Sequence, residues 1–199
     1  MNAGPCFLRA ALAVLACAML APATSALAAS DESRCAVDRT RLLALDQQAF
    51  DQGATGWREL ARNGCFTAAA DLIRDWRTLN AKSDTILTWH EGQMRANAGD
   101  YRRAIALFDQ SRKKPDGEMA EAWNIYVDGT LAFLRRDRPG LESARVRLAG
   151  TSKPLEFHPF DGNGKPLAVT WPPNLAVLDS LLRCWDATYL RAYSCPASP

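Results

Sequence analysis

Between Ile86 and Lys114 the sequence reads ILTWHEGQMRANAGDYRRAIALFDQSRKK, two helical patterns around one tight turn. Gly92 lies in the middle of the first pattern. A glycine inside a helix costs about 1 kcal/mol relative to alanine, so it marks a place where something packs closely. Gly99 follows the first pattern, where a left-handed residue ends a helix. Asp100 stands where a side chain can cap the next one. Leu87, Met94 and Ala98 recur along the first helix, and Ala104, Leu107, Phe108 and Ser111 form the stripe of the second. Pro115 is the expected stop. This stretch predicts a helical hairpin, with Gly92 and Ala104 as the small residues at the crossing.

The rest of the chain repeats the theme. Asn63-Gly64-Cys65-Phe66-x-x-Ala69 returns 35 residues later as Ala98-Gly99-Asp100-Tyr101-x-x-Ala104, and Leu72 coincides with Leu107. Before it, Leu42, Leu45, Ala49 and Phe50 predict a helix over 38–51, and Thr55 is the expected cap of a short helix over 57–63. The stretch 65–79 predicts a helix with Phe66, Ala69, Ala70, Leu72, Ile73 and Trp76 inward. After it, a long helix over 118–136 carries Gly129, 37 residues beyond Gly92. Asp137-Arg138-Pro139 opens the next, with proline in the first turn. Leu141, Ala144 and Leu148 face inward, and Gly150 ends it.

These spacings resemble the tetratricopeptide (TPR) repeat, whose period is about 34 residues. Gly92, Tyr101, Ala104, Phe108 and Pro115 fit its pattern, while Glu91 and Arg95 stand where it has leucine and tyrosine. Gly64, Phe66, Ala69 and Gly99 extend the resemblance, which covers Trp57 to Leu148. It implies a mainly α fold of helical hairpins stacked as a degenerate TPR-like solenoid, with units over about 38–82, 83–115 and 116–150. At Thr151 the character changes. Pro154, Pro159, Pro166 and the turn Asp161-Gly162-Asn163-Gly164, with alternating Leu167, Val169 and Trp171, predict a short β-hairpin or loop insertion. Asn174 is then the expected N-cap of a capping helix with Leu175, Leu178, Leu181, Leu182 and Trp185 inward.

Residues 1–28 read as a signal peptide: Arg9, an apolar run from Ala10 to Ala21, then Ala26-Leu27-Ala28. Residues 29–199 then form one exported domain, periplasmic or secreted. Lipoprotein processing at Cys17 is the rival reading, and the sequence past Cys17 stays apolar, which disfavours it. The run is too short to span a bilayer, and no transmembrane segment is expected elsewhere.

Beyond the leader four cysteines remain, Cys35, Cys65, Cys184 and Cys195, which suggests two disulfides. Three connectivities are open; shorter loops favour Cys35–Cys65 with Cys184–Cys195. The second pair requires a helix break near Asp186-Ala187-Thr188, since eleven helical residues span about 16 Å. Twenty-four Lys and Arg face 22 Asp and Glu, so nucleic acid is not the expected partner.

Motifs for chemistry are few. His90-Glu91 lacks a second histidine at position 94, which is Met94, so the zinc-protease pattern fails. A partly buried or surface histidine is the plainer reading. His158 lies in the insertion, and two histidines alone do not make a structural zinc site. Asp161–Lys165 lacks the ligands of a calcium loop, and no phosphate-binding loop or nucleophile elbow is present. No metal or cofactor is expected.

In TPR hairpins the first helices line a concave groove. Carried over, that pattern selects Arg58 and Arg62, then Trp89, Gln93 and Asn97, then Trp123, Tyr126 and Thr130. Aromatic, amide and arginine side chains together suit a protein or peptide partner. The lysines of a carboxylate clamp are absent. The competing expectation is that the C-terminal segment folds into this groove and fills it. The expected function is therefore a non-enzymatic interaction module. The alternatives are an envelope hydrolase of cell wall or glycan, with an acidic cleft near 151–171, and a structural envelope subunit with an exposed apolar face.

Overall fold

Aspartate side chains, Asp38, Asp46, Asp100 and Asp137, cap the starts of four helices. The computed structural model describes residue 1 and residues 34–80, 85–116, 119–155, 157–159 and 165–197. The expected leader beyond Met1, the expected start of a helix at Glu118 and the expected turn at 161–164 lie outside the described residues. Helix α1 is Arg39–Leu43 and α2 is Gln47–Asp51. The sequence predicts one helix here, but Asp46 accepts a hydrogen bond from the Ala49 N–H and starts a second. Then come α3, Trp57–Arg62, and α4, Phe66–Leu79. Thr55 does not cap α3; Gly56 holds that place, without a side-chain bond.

Two hairpins follow, α5 (Thr85–Asn97) with α6 (Tyr101–Gln110) and α7 (Ala120–Leu134) with α8 (Arg138–Ala149). Gly99 adopts φ +81° and Asp100 accepts from the Arg103 N–H, so both turn expectations are met. Asp137 caps α8 in the same way through the Gly140 N–H. Helix α6 ends before Pro115: the Ser111 hydroxyl bonds the Phe108 carbonyl and closes the last turn at Gln110. Gly92 does mark a close approach, but to an aromatic ring. A Cβ there would lie 2.9 Å from Phe108. At Gly129 a Cβ would lie 2.7 Å from Leu178, which belongs to the next element.

That element is α9, Leu175–Arg183, followed by α10, Tyr189–Tyr193. Asn174 occupies the N-cap of α9 in a left-handed conformation, φ 67°, with no side-chain cap bond. Helix α9 packs on α8 and α7, and α10 packs on α5. The 151–171 insertion is irregular in its described residues, which contain no strand; the Leu167 N–H reaches the Pro159 carbonyl at 2.8 Å.

Both expected disulfides are present. Cys35–Cys65 ties the chain before α1 to the start of α4, with Cα atoms 5.5 Å apart. Cys184–Cys195 spans 6.1 Å, because the helix breaks after Arg183 and restarts at Tyr189. No helix among the described residues is long and apolar enough to cross a membrane.

The hydrophobic core has two parts that meet on α5. Leu87 and Met94 belong to one, with Leu42, Phe50, Leu60, Leu72 and Trp76. Trp89 and Ala96 belong to the other, with Phe108, Tyr126, Leu131, Leu178 and Tyr189. Helix α5 is therefore covered on two sides, and even Glu91 and Arg95 are buried.

Candidate functional site

Tyr189 fixes where the surface opens. Its ring is 1 % exposed and lies 6.1 Å from Phe108 and 6.3 Å from Phe133. The backbone N–H of Tyr189 donates to the Tyr101 hydroxyl at 3.2 Å. The Cys184–Cys195 bridge closes the loop that carries α10 onto α5. Beside this seated helix a cleft of about 470 Å³ remains, between α3, α5 and α10.

Four groove residues expected from sequence line it: Arg58, Arg62, Gln93 and Asn97. Trp57, Ala61, Met94, Tyr189 and Tyr193 also line it, the tyrosines being contributions that repeat spacing did not select. The other four groove residues lie elsewhere. Trp89 is core, 4.3 Å from Phe108 and 4.8 Å from Tyr126 between ring centroids. Tyr126 and Thr130 are buried. Trp123 is half-buried, donates its indole N–H to the Ser111 carbonyl, and borders a separate apolar cleft of about 570 Å³ beside the insertion. The arrangement expected from sequence is thus split by the C-terminal helix.

Behind the wall sits a polar cluster. His90 Nδ1 lies 2.8 Å from Asp51 Oδ1, and the Trp57 indole N–H donates to the same oxygen at 3.0 Å. The Arg58 guanidinium lies 4.3 Å over the Trp57 ring and donates to the Asp51 carbonyl. Burial alone would push the Asp51 carboxyl up; the His90 hydrogen bond and charge, the Trp57 N–H and Arg58 reverse this and hold it below the ordinary carboxylate range. A carboxyl whose pKa is lower folded than unfolded stabilises the fold above its unfolded value, near 3.8, and that stability is lost as pH falls through the folded value. Asp51→Asn should therefore flatten the acid limb of the stability profile. Urea midpoints between pH 5 and pH 2 check this; an unchanged acid limb would count against the cluster.

Below the cleft lies a group of hydroxyls. Those of Tyr126, Thr130 and Tyr189 are buried and make no hydrogen bond of good geometry. They nevertheless interact electrostatically with one another, with Tyr193 and with Gln93. Burial, reinforced by neighbouring tyrosines, pushes the Tyr126 and Tyr189 phenols well above their usual value, so both stay protonated donors. No group of three or more metal-ligating side chains occurs among the described residues.

No family model, curated protein or solved structure matches the chain.

Proposed function

We propose that the chain is an exported, non-enzymatic interaction module, a degenerate TPR-like stack that binds a protein or peptide partner in the cleft between α3, α5 and α10. The observation that carries this reading is the convergence of Arg58, Arg62, Gln93 and Asn97 with Tyr193 around one opening. Three elements contribute, and arginine, amide and aromatic groups combine there, as in recognition surfaces. The hairpins α5–α6 and α7–α8, and the 35-residue spacing from Gly64, before α4, to Gly99, between α5 and α6, support the repeat architecture. Two disulfides fit an oxidising compartment and hence export.

The hydrolase alternative draws no support from the second cleft, whose described lining is Ile86, Lys113, Met119, Trp123 and other residues without a carboxylate. The structural-subunit alternative is favoured by one observation: Leu155, Leu167 and Val169 are exposed on the insertion.

A photo-crosslinking residue at Asn97, with controls at Arg103 and Leu167, separates these readings in the native host. A discrete adduct at Asn97 alone is the expected result. An adduct at Leu167 alone would favour the structural subunit, and equal adducts at Asn97 and Arg103 would overturn the cleft assignment.

A further inference from the structure

Every described polar side chain around the cleft can donate a hydrogen bond, and no acidic side chain among the described residues lines it. Arg62 is exposed, bonds the Ala54 carbonyl and forms no ion pair with a described residue. Arg58 is partly neutralised by Asp51, at 3.5 Å, but that carboxylate is already occupied by His90 and Trp57 behind the wall. Asn97 hydrogen-bonds no other described side chain. Tyr193 also lines the cleft and brings a phenol. An acceptor arriving in the cleft therefore meets donors of Arg62, Gln93, Asn97 and Tyr193 at once. A cleft of about 470 Å³ has the size of a small-ligand site.

We propose that this cleft is a carboxylate-binding site, in which Arg62, Gln93, Asn97 and Tyr193 receive an acidic side chain of the bound partner. The inference rests on the interaction reading above and specifies its ligand chemistry. A planar guanidinium matches a carboxylate in two parallel hydrogen bonds, which a lysine could not do. The amide and phenol groups add directed donors, and the Trp57 and Tyr189 rings keep water from one side. A cation presents donors to donors, and a neutral amide offers one acceptor without the charge that a guanidinium favours, so both are disfavoured.

Calorimetric titration of the disulfide-intact protein tests the proposal with three probes. These are an amide-capped Gly-Glu-Gly-Glu-Gly peptide, its Gln counterpart, and succinate. The expected result is binding of the Glu peptide, none of the Gln peptide, and a steady loss of affinity as salt rises. Arg62→Gln should weaken binding about tenfold, and Tyr193→Phe about threefold, with circular dichroism unchanged in both. Binding of succinate without the Glu peptide keeps the carboxylate chemistry and overturns the peptide source. Equal binding of the Glu and Gln peptides, silence from both carboxylate probes, or an Arg62→Gln variant of full affinity overturns the site. A persistent adduct at Asn97 alongside silent probes would retain the interaction reading and remove only its ligand class.

Discussion

Glu91→Ala should cost the fold about 3–5 kcal/mol, the range for stranding a buried charge. Glu91 accepts from Arg77 Nη1 at 2.5 Å and lies 3.9 Å from Arg95 Nη2. Arg95 is 2 % exposed and also reaches Asp71 at 2.7 Å. Burial pushes the Glu91 carboxyl up, and Arg77, Arg95 and Arg74 only partly offset that. A carboxyl raised on folding stabilises fully below its unfolded value, near 4.5, and that part is lost as pH rises through the folded value. At neutral pH Glu91 is therefore held by its arginines at a net cost of burial. The loss in Glu91→Ala comes from the arginines left behind, whose Nε groups already lack partners. Replacing all three together, Arg77→Met, Glu91→Leu and Arg95→Met, should recover most of it. Urea unfolding of both variants decides the matter. A single-site loss under about 1 kcal/mol would mean the pair behaves like a surface ion pair.

Tyr189→Ala should cost about 3–5 kcal/mol, as for other fully buried aromatics. It removes the ring between Phe108 and Phe133 and leaves α10 held by the disulfide, buried Ala192 and the backbone bond to Tyr101. Amide exchange over α10 should rise to that of an exposed segment while α5 stays protected. Tyr189→Phe should be nearly neutral, because the deleted hydroxyl has no hydrogen-bond partner of good geometry. If the two variants lose equal stability, the hydroxyl rather than the ring anchors the helix, and the account of α10 fails.

The hairpins were legible because their signals are local. Gly99 and Asp100 close and open helices by backbone geometry that depends on few neighbours. The disulfide pairing followed from loop length, together with the helix break that the second pair required. The cleft was half legible. A helix covered on one side shows an apolar stripe, and the groove was read off its opposite face. Helix α5 is covered on two sides, so Trp89 is core although it sits where a groove residue should. Glu91 and Arg95, which replace the leucine and tyrosine of the repeat pattern, are its buried ion network. The placement of α10 depends on contacts 88 residues apart, Tyr101 with Tyr189, and no periodicity encodes such a distance. What could have hinted at it is composition: a pair of tyrosines four apart, Tyr189 and Tyr193, in a segment closed by a disulfide.

The central claim is that α10 seats Tyr189 in a buried hydroxyl group with Tyr126, beside the open arginine-lined cleft. Tyrosine ring NMR, with ¹³Cζ labels followed from pH 8 upward, tests it most directly. The Tyr126 and Tyr189 signals should stay flat through their ordinary value near 10 and move only as the protein unfolds. That unfolding should itself set in above the same pH, because a phenol raised on folding loses its stabilising contribution as pH rises. Reversible titration of the Tyr189 signal near 10 in folded protein would mean its hydroxyl faces water, and the seating of α10 beside the cleft would be wrong.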